Sequence, residues 1–203
     1  MATVKRGEGL TGRTPHECFQ KFADILNPLF TGTLSRISHL AIRPDGHGNA
    51  SLSTEAAPIT IDTSKYGKLY LRILQRLSTG PTSKRGIVRL QTNLYSYRLS
   101  SAPGLRDTEP LFRWEYEREA ELADRPPRHH LHVPGTLPTN GDDLELKMLH
   151  IPTGWVAIEE VIRFMIADLG HTPPERNDGE PEWWEIVRES EKRFRGELVS
   201  KPY

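Results

Sequence analysis

The chain has 203 residues, of which 36% are hydrophobic and 27% charged; this is enough apolar material for a real core and argues against a disordered chain. Its single cysteine, Cys18, excludes an internal disulfide and a cysteine-based zinc cage, and no stretch nears the roughly 18 consecutive apolar residues of a membrane span. Lys/Arg and Asp/Glu balance at 27 each, yet residues 1–100 carry 14 basic and 6 acidic side chains and residues 101–203 carry 13 and 21.

These features predict a cytoplasmic, soluble protein in a reducing compartment, with Cys18 as a small buried hydrophobe. The charge asymmetry has two readings: the halves attract each other, or the basic half faces a polyanion and the acidic half a basic partner.

Residues 1–13 are rich in Gly, Lys and Arg and are expected to be flexible. Thr14-Pro15-His16-Glu17 reads as a capping box, because Thr14 can accept from first-turn amides, Pro15 needs no N–H, and Glu17 reaches back three residues. Phe19, Phe22, Ala23 and Leu26 then mark one face of a helix, which Asn27-Pro28 is expected to end. Thr33 to Ile42 predicts a strand, Arg43 to Asn49 a turn, and Ser51–Thr54 or Ile59–Ile61 a second strand. Leu69, Ile73, Leu74 and Leu77 predict a helix over 65–77, with Lys65, Lys68, Arg72 and Arg76 as a basic row that covers its apolar side or meets nucleic acid.

From Gly86 the texture becomes β-branched and aromatic. Ile87–Leu99 and Leu111–Tyr116 predict an antiparallel hairpin around the Pro103-Gly104 loop, followed by a short strand at His129–Val133 and another at Leu144–Ile151 after the Asn140-Gly141 turn. Trp155 to Leu169 carries the strongest helical periodicity, with Gly170 as its terminating glycine. A polar linker over 171–181 leads to a last helix, Glu182 to Leu198, whose apolar contacts are Trp183, Trp184, Ile186, Val187 and Phe194. The predicted class is α+β, an antiparallel β-meander packed against several helices. Its organisation is a flexible segment 1–13, one domain 14–170, and a linker and helix over 171–203.

Chemistry concentrates at His129, His130 and His132. In a strand, His130 and His132 share a face and Leu131 takes the other, so two imidazoles meet in one site. Such a pair suits a general acid and base near neutral pH, or two nitrogen ligands for a metal. Zinc wants four ligands, and only His150, Asp142 and Glu145 could approach across the meander, so neither metal nor cofactor is assigned. Metal-free RNA cleavage needs a base, an acid and a cation. Arg98, Arg113 and Arg128 are the candidate cations, and Tyr95, Tyr97, Trp114 and Tyr116 are candidate stacking surfaces for bases, Tyr97 and Trp114 foremost. Glu115 and Glu117, at the head of the alternating run that continues through Glu119 and Glu121, are second choices for orienting an imidazole.

The order Tyr95-Ser-Tyr-Arg-Leu99, Leu111-Phe-Arg-Trp-Glu-Tyr116, His129-His-Leu-His132 and the helix Val156 to Asp168 resembles the TumE-type toxins of bacterial toxin–antitoxin pairs, over residues 87–170. The resemblance implies toxin activity and selects His130 and His132, with Tyr97, Arg98, Trp114 and Glu115 as their neighbours. Segments outside it would serve antitoxin binding, oligomerisation or a different substrate. The resulting expectation is a toxin of a toxin–antitoxin or phage-defence module, an endoribonuclease acting through the histidine cluster on RNA, with a protein partner and no membrane. The alternative is a non-enzymatic subunit of a defence or regulatory complex, with Trp183, Trp184 and the basic row as contacts.

Overall fold

A computed structural model describes residues 10–36, 42–54, 57–104, 110–118 and 127–198. Residues 37–41 of the predicted first strand, Glu119, Glu121 and residues 1–9 of the N-terminal segment lie outside them. The described elements are β1 (Thr11–Gly12), α1 (Pro15–Thr33), β2 (Ile42–Pro44), β3 (Asn49–Ser53), β4 (Ile59–Thr63), β5 (Gly67–Pro81), β6 (Val88–Ser100) and β7 (Phe112–Glu117). They continue as β8 (His129–His132), β9 (Thr136–Leu137), β10 (Leu144–Glu145), a 3₁₀ turn (Leu146–Met148), β11 (Ile151–Pro152), α2 (Ile158–Ala167) and α3 (Trp183–Leu198). A large antiparallel sheet and three helices make the predicted α+β class. The chain divides into two units, residues 1–51, 77–91 and 173–203, and residues 52–76 and 92–172; β5 and β6 pass through both.

In the first unit, Thr14 caps α1 by accepting from the Glu17 N–H at 3.2 Å. Glu17 reaches one residue further back than a capping box requires, to the Arg13 N–H at 2.8 Å. Its carboxyl is held below the usual carboxylate range by Lys21 and by that N–H. The helix does not stop at Asn27: it runs through Pro28 to Thr33. Pro28 removes one amide, but Leu29 and Phe30 beyond it are fully buried, and that burial outweighs a lost hydrogen bond. Thr33 is therefore helical rather than the start of a strand. The turn after β2 forms as expected, with Asp45 accepting from the N–H groups of His47 and Asn49 and with Gly46 and Gly48 at positive φ. Order begins before Thr14, since Thr11 and Gly12 pair with Arg89 and Val88. The last helix, α3, joins this unit, its Phe194 ring 5.5 Å from that of Phe22 in α1. Each unit draws on both oppositely charged halves of the sequence, so those halves are not two bodies.

The segment predicted as a helix over 65–77 is instead a turn through residue 66 and then strand β5, most of which lies in the second unit. Leu69, Leu71, Ile73, Gln75 and Leu77 are all buried, a period of two that the apolar Tyr70 and Leu74 between them obscure. The basic row dissolves with the helix: Arg72 is buried and donates to the Pro103 carbonyl. Both predicted alternatives for the second strand exist, as β3 and β4, and β4 pairs with β5 in a hairpin. Strands β6, β7, β8 and β11 then lie side by side in that order, all antiparallel. The predicted strand 144–151 is broken into β10, the 3₁₀ turn and β11, with β10 paired to β9 in a separate ribbon.

One face of this meander is apolar. Tyr95, Tyr97, Leu99, Trp114 and Tyr116 are buried there, and Phe164 of α2 lies edge-on to Phe112 and Trp114 at 5.1 and 5.9 Å. Helix α2 buries Ile158, Val161, Ile162 and Met165. Its start is fastened twice, by Glu160 accepting from the Ala157 N–H and by the Tyr95 hydroxyl accepting from the Val156 N–H at 3.1 Å. Beyond its last helical residue, Ala167, the chain turns at Gly170, whose φ of 72° is open to glycine and strained for other residues.

Inside this layer the Gln75 side-chain amide donates to the Tyr97 hydroxyl at 2.8 Å. Tyr97→Phe leaves that amide without its acceptor and is expected to cost about 1–3 kcal/mol in equilibrium denaturation. Burial also holds the phenols of Tyr95 and Tyr97 above the ordinary tyrosine range, whereas in the unfolded chain they ionise near pH ~10. Their contribution to stability is thus complete below that pH and is lost progressively as pH rises from there toward the raised folded-state values. Denaturation midpoints at pH 8 and above pH 10 are expected to converge more closely in Tyr97→Phe than in the wild type; an equal fall in both contradicts this.

Candidate functional site

The opposite face of the same strands is polar. On β6 it carries Ser96 and Arg98, on β7 Glu115 and Arg113, and on β8 His130 and His132. The register sets them in rows: Ser96 opposite Glu115 and Arg98 opposite Arg113, then Glu115 opposite His130 and Arg113 opposite His132. Because Ile151 pairs with Leu131 and Pro152 with His130, His150 continues the register opposite His132 and adds a third imidazole to that face.

The rings of His130, His132 and His150 stand edge to face, with centroids 4.9, 5.0 and 4.7 Å apart in the three pairings. One nitrogen from each lies within 4.8 Å of the others. His130 and His132 are each 8% exposed, whereas His150 opens to solvent. Glu115 reaches into the cluster: its Oε2 is 3.5 Å from His130 Nε2, 3.6 Å from His132 Nε2 and 3.3 Å from Arg113 Nε. Its Oε1 accepts from the Ser96 hydroxyl at 3.1 Å and lies 4.0 Å from the Arg98 guanidinium.

The tautomer of His130 follows from its partner. Its Nδ1 is 2.7 Å from the Pro127 carbonyl, which can only accept, so Nδ1 carries the proton and the Nε2 lone pair points at the cluster. His132 is different: neither ring nitrogen has a hydrogen-bond partner although both are buried. Burial is the main cause that lowers its pKa below the usual imidazole value, followed by Arg113 and His130, with Glu115 opposing. His150 is lowered in the same sense by desolvation, His130 and Arg113, again against Glu115. The site is therefore a group of imidazole lone pairs beside one carboxylate and two guanidiniums.

The other sequence candidates lie elsewhere. His129 faces the apolar layer, stacked on Tyr116 at 4.5 Å and edge-on to Trp155 at 5.6 Å, with its Nδ1 3.4 Å from the Tyr95 hydroxyl. Desolvation, then Arg128 and His130, lower its pKa. Tyr97 and Trp114 are buried on that same layer, which gives them no open ring face for a base. Arg128 and Glu117 are exposed, joined through the backbone, where the Glu117 N–H donates to the Arg128 carbonyl. Asp142 and Glu145 are exposed, and Glu145 pairs with Lys147 at 3.1 Å; neither joins the imidazoles. The residue that sequence reasoning underused is His150. Its spacing from His132, across a broken strand, gives no local signal, and only the register brings the two together.

No family model matches the chain, and neither a curated protein nor a solved structure does.

Nitrogen-15 resonances of His130 near pH 8 are expected to show a protonated Nδ1 and an unprotonated Nε2. A proton on Nε2 with Nδ1 bare contradicts the assignment.

Proposed function

We propose that this chain is an RNA-cleaving toxin of a toxin–antitoxin or phage-defence module, with its reaction centre at His130, His132 and His150. The observation that carries the reading is a cluster of three imidazoles, two of them against one carboxylate, Glu115, with Arg113 and Arg98 alongside it. The resemblance of residues 87–170 to TumE-type toxins supports the same direction.

Phosphodiester cleavage in RNA joins the 2′-oxygen to phosphorus and breaks the bond from phosphorus to the 5′-oxygen, leaving a 2′,3′-cyclic phosphate and a 5′-hydroxyl. The 2′-hydroxyl proton leaves at the start and a proton arrives on the 5′-oxygen at the end. Groups that change protonation near neutral pH suit both transfers. The equatorial phosphate oxygens gain charge meanwhile, and Arg113 and Arg98 are the cations placed to carry it. His129, Tyr97 and Trp114 take no part in this reading and serve the apolar layer.

A protein partner belongs to the same proposal. Trp184 of α3 is 47% exposed under the guanidinium of Arg188, 5.2 Å from its ring centroid, and a large aromatic presented beside Arg is the side-chain pair favoured at protein interfaces.

Expression in a bacterial host is expected to arrest growth and to leave RNA fragments with 2′,3′-cyclic ends. The His130→Ala/His132→Ala double variant relieves the arrest, with cleavage lowered by roughly 10²–10⁴-fold. His129→Ala keeps any loss of cleavage in line with its loss of folded protein. Full toxicity in the folded double variant contradicts the reading.

A further inference from the structure

We infer that His130, His132 and His150 bind one divalent transition-metal ion, of the zinc or cobalt class, in the cluster described above. The inference rests on the same residues as the functional reading and competes with it for their lone pairs, since a nitrogen bound to the ion takes no proton from a 2′-hydroxyl.

Geometry is the first argument. Zinc takes imidazole nitrogen and carboxylate oxygen at about 2.0–2.2 Å, which sets neighbouring ligands on a tetrahedron about 3.3–3.6 Å apart. Glu115 Oε2 stands 3.5 and 3.6 Å from the Nε2 atoms of His130 and His132, already at that spacing. The three imidazole nitrogens lie within 4.8 Å of one another, so a point at their centre is at most about 2.8 Å from each, and the rings need close by less than ~1 Å to reach bonding distance. Glu115 Oε2 is thus at ligand spacing from two of the three imidazoles.

Tautomer and burial supply the second argument. A ligating histidine characteristically donates its other ring N–H to a carbonyl or carboxylate, which fixes the ring and leaves a lone pair for the metal. His130 has this arrangement through the Pro127 carbonyl. His132 supplies an independent observation: it is 8% exposed, and both its nitrogens are buried without a hydrogen-bond partner. A buried polar atom left unpaired is costly, and an ion at the cluster gives one of those nitrogens a bond. Three imidazoles packed edge to face make poor partners for one another without a proton or an ion between them.

The composition of the ligand set points to the metal class. Imidazole nitrogens suit zinc, cobalt, nickel and copper, whereas magnesium and calcium take all-oxygen shells. Among the described residues no other group of three such side chains lies close enough to hold an ion. His47 and His16 belong to the other unit, and His171 is tied by its Nδ1 to the Asp62 carbonyl at 2.9 Å.

The test uses the full chain, free of any histidine tag and stripped with a chelator, titrated with cobalt and zinc chloride. One equivalent is expected to bind, with the intense visible bands of four-coordinate cobalt, and zinc is expected to abolish them. His150→Gln, at the exposed ligand, and His132→Ala weaken binding by more than roughly a hundredfold, beyond the 10–100-fold typical of residues that only support a ligand. His47→Ala leaves it unchanged. Circular dichroism guards the His132 variant, and the exposed position of His150 keeps the test alive if that variant does not fold. Absence of stoichiometric binding, or equal affinity in a folded His150→Gln protein, overturns the inference. RNA cleavage by stripped and metal-loaded protein separates the two proposals. Binding without cleavage in either form leaves the ion and removes the ribonuclease; equal cleavage by a protein that binds no metal does the reverse.

Discussion

The site depends on the two-residue period of three neighbouring antiparallel strands. Where β6, β7 and β8 pair, Tyr95, Tyr97, Leu99, Phe112, Trp114, Tyr116, His129 and Leu131 alternate with Ser96, Arg98, Arg113, Glu115, His130 and His132, the first set on the apolar face and the second on the polar one. A shift of one residue in the register of β8 would send His130 and His132 into the aromatic layer and bring His129 and Leu131 out. The packing of Trp114 and Phe112 under Phe164, and of Tyr95 and Tyr116 around Trp155, therefore holds the imidazole cluster in place although none of these rings is in it. The hydroxyl of Tyr95 adds a direct tie by holding the entry to α2.

The polar face is built so that its charges hold one another. Glu115 receives Ser96 and Arg98 on one oxygen and faces Arg113 and two imidazoles with the other. A carboxylate so placed cannot swing away without giving up its ion pairs with both guanidiniums at once. The same constraint fixes the point on which the ring nitrogens converge. Burial, Arg113 and His130 lower the pKa values of His132 and His150 against the opposing pull of Glu115, which favours the neutral form in which an imidazole can accept a proton or ligate an ion.

Much of this was legible in the sequence, for identifiable reasons. The cap at Thr14, the period of α2, the hairpin of β6 and β7 and the shared face of His130 and His132 all follow from local chemistry, and each is present. Residues 65–77 deceived because Leu and Arg at every one or two positions satisfy both periods at once, and neighbouring strands decide the outcome. Pro28 deceived because a buried apolar flank can override a local breaker. Tyr97 and Trp114, attractive as stacking surfaces, differ from exposed aromatics only in the face they occupy, and Gln75 and Phe164, which claim them, are distant in sequence. His150 needed the register of β11, a strand of two residues that leaves no pattern to read.

The most direct measurement is anomalous diffraction from crystals of the full chain grown with one equivalent of zinc, recorded on both sides of the zinc absorption edge. A single anomalous peak about 2.0–2.2 Å from one nitrogen each of His130, His132 and His150 is the expected result. Density that leaves those three rings bare, with the zinc bound at other histidines, contradicts the account.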